Sequence, residues 1–193
     1  MVAQEDQTRR RISVEEWRTL LRTSGIKYEY HDGWIYAMAG GSLAHGRIAL
    51  NTQILLDTAL AEASCWVHNS DLAVRLSLSE YRFPDVTVSC DARDQPRRDR
   101  TEVQAPRVIV EVLSDSTEQE DRTPKFALYR ACPSVQEYVL IATEHQGVEV
   151  YHRTEQGWVY QDYGPGSSVA LESIDVRLPV DQLYRLTDVP LPP

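Results

Sequence analysis

Apolar residues recur at helical spacing in two stretches of the chain. Ser13, followed three residues later by Glu16, forms a capping box ahead of the first stretch, and Gly25 is placed to end it. The second stretch, residues 43–62, follows Ser42, which can cap a helix. The pattern therefore predicts a short first helix and a longer second one.

Elsewhere the apolar residues alternate with polar ones or run together, as they do in strands. The dipeptide Asp32-Gly33 separates two aromatic and β-branched runs, which indicates a two-residue hairpin turn with Glu29 opposite Tyr36. Further strands are predicted over residues 65–69, 72–78, 84–90, 107–113 and 135–142, in a hairpin at 147–164, and in a closing β-rich stretch at 173–186.

A third helix is predicted to begin near Asp121, with Thr123 as its cap and Pro124 in its first turn. Residues 91–104 are expected to form a charged loop. Helix, strands, helix and strands in this order predict a mixed α/β (α+β) fold, in which helices flank a central mixed β-sheet and an extra hairpin follows near the C-terminus.

Length and composition favour one domain. A chain of 193 residues, 42% of them hydrophobic, can bury one core and is short for two. We expect a flexible tail over residues 1–12 and a single domain over 13–193. No apolar run approaches a membrane span, and three cysteines without a C-x-x-C pair indicate neither a disulfide framework nor a zinc site. A reduced cytoplasmic protein fits these features.

The net charge of -9 argues against non-specific coating of nucleic acid, although it permits a local basic patch. Among the 20 basic residues only Lys27 and Lys125 are lysines, so each lysine position is informative. No Walker, G-x-G-x-x-G, G-x-S-x-G or helical His-x-x-x-His pattern occurs. These absences argue against nucleotide-binding, acyl-transfer and zinc-helix chemistry.

Two carboxylates stand where a strand should be apolar. Glu111 interrupts the buried run of residues 107–113, and Asp85 follows Pro84 at the start of another strand. On adjacent strands these two groups would repel each other unless a cation lay between them. A hard divalent ion such as Mg²⁺ would bind both, and such ions commonly act on phosphate substrates.

Five blocks in order, "YEYHDGWIYAMAGG", "AHGR", "FPDV", "VIVEVLSDST" and "D..PK...Y", resemble the Uma-type endonucleases. This bacterial family has the restriction-endonuclease-like fold of the PD-(D/E)xK superfamily. The resemblance covers about residues 13–153. It implies metal-dependent hydrolysis of phosphodiester bonds in DNA, with Mg²⁺ or Mn²⁺ as cofactor.

The resemblance implies roles for particular residues. Asp85 and Glu111 would be metal ligands, with the Val112 carbonyl a possible third. The general nuclease pattern has a lysine where this chain has Leu113, and the family likeness implies that Lys125 on the following helix replaces it, to orient or activate water. Glu29 could complete the metal shell, and His45 could contact a phosphate or water. Tyr129, four residues after Lys125, is expected to pack rather than react.

Two surfaces are expected to bind partners. A basic group near the Glu111 strand could contact the DNA backbone: Arg97, Arg98, Arg100 and Arg107. Since cutting a duplex needs two sites or two visits, we expect a homodimer, formed through aromatic residues of the late hairpin: Tyr151, Trp158, Tyr160 and Tyr163. The arginines could equally be a solvated charge run, and the aromatics could equally be core.

Each site residue also has a purely structural interpretation. Asp85 could cap a turn, Glu111 could protect a sheet edge, and Lys125 could be a surface lysine. His45 could serve only the helix N-terminus, and Glu29 could pair with a basic neighbour across the hairpin. The alternative function is a non-catalytic, nuclease-like dimeric binding or scaffold module.

Overall fold

The computed structural model describes residues 10–38, 40–114 and 121–192. The first nine residues of the predicted tail, and positions 115–120 that include the end of "VIVEVLSDST", lie outside these ranges. The described part of the chain contains four α-helices: α1 (Val14–Ser24), α2 (Leu43–Ala59), α3 (Phe126–Ala131) and α4 (Val180–Leu183). None of the helices within those ranges is both long and apolar enough to cross a membrane.

Thirteen strands in the described ranges form three sheets. They are β1 (Tyr28–His31), β2 (Trp34–Ala37), β3 (Trp66–Asn69), β4 (Ala73–Arg75), β5 (Glu80–Arg82), β6 (Val86–Ser89), β7 (Glu102–Val103), β8 (Pro106–Val112), β9 (Glu137–Ile141), β10 (Val148–Thr154), β11 (Gly157–Tyr163), β12 (Ser168–Leu171) and β13 (Val176–Pro179). A six-stranded sheet has the order β11-β10-β9-β8-β6-β3, a five-stranded sheet the order β2-β1-β5-β4-β7, and β12 pairs with β13. Strands β8 and β9 are parallel, as are β4 and β7, whereas the other pairs are antiparallel. The predicted mixed α/β architecture is therefore confirmed.

Local chemistry sets the first helix and hairpin as predicted. The Ser13 hydroxyl accepts a hydrogen bond from Glu16 N, the Glu16 carboxylate accepts one from Ser13 N, and Gly25 ends α1 with φ 69°. In the hairpin, β1 pairs with β2 in the register that sets Glu29 opposite Tyr36. The capping box and the hairpin turn are thus confirmed.

Three predicted elements were wrong in detail. The polar stretch before Pro84 contains a strand, β5, that was not expected, because pairing with β1 and β4 overrides its weak local pattern. The helix near Asp121 begins as a π-helical turn, Asp121–Lys125, and becomes α-helical only at Phe126. Pro124 lies inside that turn, so Thr123 is not its cap. The closing stretch is only partly β, since α4 follows β13 directly.

The cysteine prediction was also wrong. Cys65 and Cys90 form a disulfide, and Cys132 is a buried free thiol. Trp66 pairs with Ser89 across β3 and β6, so the two half-cystines face each other one position further along, with 4.0 Å between their Cα atoms. A count of cysteines and their spacing cannot show such cross-strand register.

Helix α2 packs on the six-stranded sheet and on the C-terminal region. Ile48 and Leu56 are fully buried in the main core with residues of β6, β8 and β9. On the next turn Asn51 is buried, and its Nδ2 donates to the carbonyls of Leu183 at 2.9 Å and Arg185 at 2.7 Å. These contacts fix the position of α2, whose first turn carries His45.

Candidate active site

Asp85 and Glu111 lie on neighbouring strands, as predicted. Asp85 directly precedes β6, Glu111 belongs to β8, and the strands are antiparallel with Val86 opposite Val110. The backbone N–H of Val112 donates to Asp85 Oδ2 at 2.8 Å. This bond joins the start of β6 to the end of β8, so the two carboxylates share one end of the sheet.

An open pocket of about 270 Å³ surrounds this end of the sheet. Every residue that the sequence suggested for the metal or for catalysis lines it: Glu29, His45, Asp85, Glu111, Val112 and Lys125. Asp121, Gly40, Gly41 and Ser114 are further lining residues. Segments from the hairpin, α2, both strands and the π-helical turn therefore converge on one concave surface.

Glu111 is a buried carboxyl with one close hydroxyl donor. Tyr129 Oη donates to Glu111 Oε1 at 2.7 Å, and Lys125 Nζ lies 3.4 Å from the same oxygen. Burial raises the pKa of Glu111 to about 8; Lys125 acts to lower it, and the negative charges of Asp121 and Asp85 add to the rise. Tyr129 thus packs in the core, as predicted, and also holds the carboxyl.

Lys125 is inserted between two carboxylates. Its Nζ lies 2.8 Å from Asp121 Oδ1, and Asp121 stands four residues earlier in the π-helical turn. Burial alone would lower the pKa of Lys125, but the charges of Glu111, Glu29 and Asp121 outweigh it and raise the pKa above its ordinary value. The side chain therefore carries an ammonium in the pocket, and the surface-lysine interpretation does not describe it.

His45 lies over Asp85 from the first turn of α2. Ser42 caps that helix by accepting a hydrogen bond from His45 N at 3.1 Å, and His45 Nε2 lies 3.2 Å from Asp85 Oδ2. The hydrogen bond to Asp85 raises the pKa of His45 although burial opposes it, and a backbone hydrogen bond to Val112 adds to the rise. The ring thus contacts two of the predicted metal ligands.

Glu29 is held by a buried arginine. Arg82 Nη1 lies 2.5 Å from Glu29 Oε2, and Arg82 Nε lies 2.6 Å from Glu80 Oε1. Burial would lower the pKa of Arg82, but the charges of Glu29 and Glu80 raise it overall. Glu80 in turn pairs with His31. Glu29 therefore faces the pocket with one oxygen already in an ion pair with a basic neighbour.

The predicted DNA-binding arginines lie toward the other end of β8. Arg107 stands near its first residue, four positions before Glu111, which corresponds to about 13 Å along a strand. Three more are exposed on the preceding loop: Arg97, Arg98 and Arg100. This loop is anchored by Asp94, whose carboxylate accepts hydrogen bonds from the backbone of Gln104 and Ala105.

The late-hairpin aromatics divide between core and surface. Tyr163 is buried in the main core, and Tyr151 and Trp158 pack around Phe126. Tyr160 is 51% exposed. The surface predicted for dimerisation therefore retains one largely exposed ring.

Three residues that hold the site together were not proposed as site residues from the sequence. Asp121 and Tyr129 bracket Lys125 at four-residue intervals in "D..PK...Y", a spacing that sets side chains on one helical face and could have revealed them. Arg82 carried no such signal: Glu80 lies two residues before it in the same strand, but Glu29 comes from β1.

The chemistry of the donor set suits a hard divalent ion. Asp85, Glu111 and the Val112 carbonyl offer oxygen ligands. Burial, together with the charges of Asp121 and Asp85, raises the pKa of Glu111, and a bound cation would favour its charged form. Across the described ranges, no three His, Cys, Asp or Glu side chains are grouped as a ready-made metal site. An ion here would therefore also use the backbone oxygen and water, as Mg²⁺ and Mn²⁺ commonly do.

The mixed fold is that of restriction-endonuclease-like proteins. A crystal structure described as "a putative nuclease belonging to DUF820", from Anabaena variabilis, superposes with a TM-score of 0.72 at 19% identity, covering 90% of this chain and 97% of that one. The chain matches the Uma2 family, described as "Putative restriction endonuclease", over residues 14–181, and it belongs to that family. In Synechocystis sp., protein slr1290 is 37% identical over 91% of this chain and 92% of its own length. A second protein of that organism, sll1609, is 33% identical over 69% of this chain and 76% of its own length.

Proposed function

We propose that the protein is a metal-dependent endonuclease that hydrolyses phosphodiester bonds in DNA. The observation that carries the proposal is the convergence of Asp85, Glu111 and the buried ammonium of Lys125 in one pocket, at the start of β6 and the end of β8. Family membership supports a nuclease-type hydrolase. The metal and the DNA substrate are the proposed part.

Asp85, Glu111 and the Val112 carbonyl would hold Mg²⁺ or Mn²⁺. When bound, the ion supplies positive charge at the phosphate and lowers the pKa of water. Glu29 borders the same space and could complete the shell. Its ion pair with Arg82 would keep it oriented.

Lys125 would act through its charge. Because its pKa is raised, the ammonium stays protonated and is poorly suited to accept a proton from water. It can instead orient the attacking water and stabilise the charge that develops on the phosphate oxygens. Asp121, at 2.8 Å, positions it for that role.

Substrate binding would extend beyond the pocket. The exposed arginines of the loop before β8 are proposed to contact DNA phosphates on one flank, and a homodimer is proposed to present two sites to a duplex. Light scattering checks the second point: a single monomeric species at assay concentration would contradict the dimer.

The experiment compares the two lysines of the chain. We expect the wild-type protein to nick plasmid DNA, or to cut single-stranded DNA, with Mg²⁺ or Mn²⁺. Lys125→Met keeps most of the side-chain length without the charge and should lower the rate by roughly 100-fold or more. Asp85→Asn should lower it at least as much. Lys27→Met is the matched control, because Lys27 pairs with Asp71 away from the pocket and its loss should leave the rate unchanged.

Circular dichroism must first show that each variant is folded. A folded Lys125→Met protein that cleaves at the wild-type rate would contradict the role of Lys125. Wild type that cleaves neither DNA form with either ion would favour the alternative, a non-catalytic dimeric binding or scaffold module. The acidic net charge of -9 is the observation that favours this alternative.

A further inference from the structure

His45 lies where a metal ligand would be expected. Its Nε2 is 3.2 Å from Asp85 Oδ2, and it also forms a hydrogen bond to the backbone of Val112. Two ligands at adjacent corners of an octahedron, with bonds of about 2.1 Å, are about 3 Å apart. The imidazole and the Asp85 carboxylate therefore already have a spacing that one ion can bridge.

The local sequence holds the ring in this position. Ser42 fixes the start of α2 by capping His45 N, and Gly41 leaves space for the imidazole. A Cβ on Gly41 would lie 2.7 Å from His45 Nδ1 and 2.8 Å from Cγ, so a larger residue at this position would force the ring to shift. Further along the helix, Asn51 ties α2 to the C-terminal region.

We propose that His45 is a nitrogen ligand of the metal centre, and that it makes the site prefer a first-row transition-metal dication such as Mn²⁺ over Mg²⁺. This inference rests on the proposed function, and it adds the identity of the ion. Mg²⁺ takes almost only oxygen ligands, whereas transition metals also accept imidazole. One imidazole combined with carboxylate and carbonyl oxygens is therefore a donor set that distinguishes the two classes of ion.

The test measures binding of MnCl₂ and MgCl₂ by calorimetry, and the coordination of bound Mn²⁺ by pulsed electron paramagnetic resonance. We expect wild type to bind Mn²⁺ at least about 10-fold more tightly than Mg²⁺, with ¹⁴N modulation from a coordinated imidazole. In His45→Gln the modulation should disappear and Mn²⁺ affinity should fall roughly 10- to 100-fold. Mg²⁺ affinity should change by less than about three-fold.

Two further variants separate ligation from other effects. Gly41→Ala keeps the histidine but displaces its ring, so it should weaken Mn²⁺ binding in the same direction as His45→Gln. His145→Gln is the matched control, because His145 is exposed on the loop before β10 and does not line the pocket; it should leave both affinities and the spectrum unchanged. Circular dichroism must show each variant folded.

The outcomes distinguish this inference from the proposed function. If Asp85→Asn loses both ions while folded His45→Gln keeps wild-type Mn²⁺ affinity or the ¹⁴N modulation, the metal centre stands and the ligand role of His45 is wrong. If wild type binds neither ion, both the ligand role and the metal-dependent function are overturned. Loss of Mn²⁺ affinity and ¹⁴N modulation together, with Mg²⁺ affinity retained, supports the inference.

Discussion

Removal of the Tyr129 hydroxyl would measure how firmly the pocket holds Glu111. Both side chains are buried, and the phenol donates to Glu111 Oε1 at 2.7 Å. Phenylalanine keeps the ring, which packs against Tyr138 with 5.0 Å between ring centroids. Tyr129→Phe therefore deletes one hydrogen-bond donor with almost no change in packing.

The size of the effect should depend on pH. A hydrogen bond adds about 0.5–1.5 kcal/mol to the unfolding free energy when the partner is neutral, and about 1.5–3 kcal/mol when it is charged. The pKa of Glu111 is raised to about 8, so its carboxyl is mostly neutral at pH 6.5 and mostly charged at pH 9.5. The pKa of Tyr129 lies well above 10, so its donor is present at both pH values. We expect losses in unfolding free energy of about 1 kcal/mol at pH 6.5 and about 2 kcal/mol at pH 9.5.

The direction of this pH dependence follows from proton linkage. The pKa of Glu111 is about 8 in the folded state and near 4.5 in the unfolded state. Its contribution to stability is therefore fully present below pH 4.5 and is lost as the pH rises through 8. Without the Tyr129 donor the folded pKa of Glu111 rises further. The variant therefore continues to lose stability at pH values where the wild type has levelled off.

Urea denaturation at the two pH values would measure these differences, provided that the m-values are unchanged. The matched control is Tyr30→Phe, since Tyr30 Oη donates at 2.9 Å to the neutral carbonyl of Ile12. Its loss should be about 1 kcal/mol at both pH values. Equal losses for Tyr129→Phe at pH 6.5 and 9.5 would refute the view that Tyr129 stabilises a titrating Glu111.

Two other parts of the molecule give simpler predictions. Cys65 and Cys90 are 25 residues apart, and reducing their disulfide should lower the unfolding free energy by about 3 kcal/mol. Urea denaturation with dithiothreitol should then show a lower midpoint. An unchanged midpoint would mean that the bond adds no stability. Replacing both Arg97 and Arg98 by alanine should reduce the slope of log affinity for DNA against log salt by up to about 2, and a wild-type slope would remove this loop from the interface.

Local sequence chemistry predicts the parts of the fold that local interactions set. The capping box at Ser13 and the turn at Asp32-Gly33 need only neighbouring residues, and both elements are present as expected. Strand β5 and the disulfide depend instead on register between distant strands, which no local pattern encodes. The π-helical turn was missed because Pro124 fits the first turn of an α-helix equally well.

Some residues of the candidate site could be predicted from local sequence, and others could not. The two carboxylates could be predicted because charge in the strands bearing Asp85 and Glu111 is unusual in sequence. Their convergence with Lys125 was reached only through family resemblance, since nothing near Lys125 in sequence marks it as buried. Arg82 could not be predicted, because Glu29, its partner from β1, meets it only in the folded sheet, although Glu80 lies two residues before it in β5.

The attachment of α2 to the C-terminal region has a consequence for biosynthesis. Asn51 is separated by 132 and 134 residues from the carbonyls of Leu183 and Arg185 that it binds. At about 5–20 residues per second, a ribosome needs several seconds or more to make the intervening chain. During that time the Asn51 amide must remain hydrated, and the helix that carries His45 cannot dock completely. We therefore expect α2 to complete its docking in a nascent chain only after Arg185 has emerged from the ribosome.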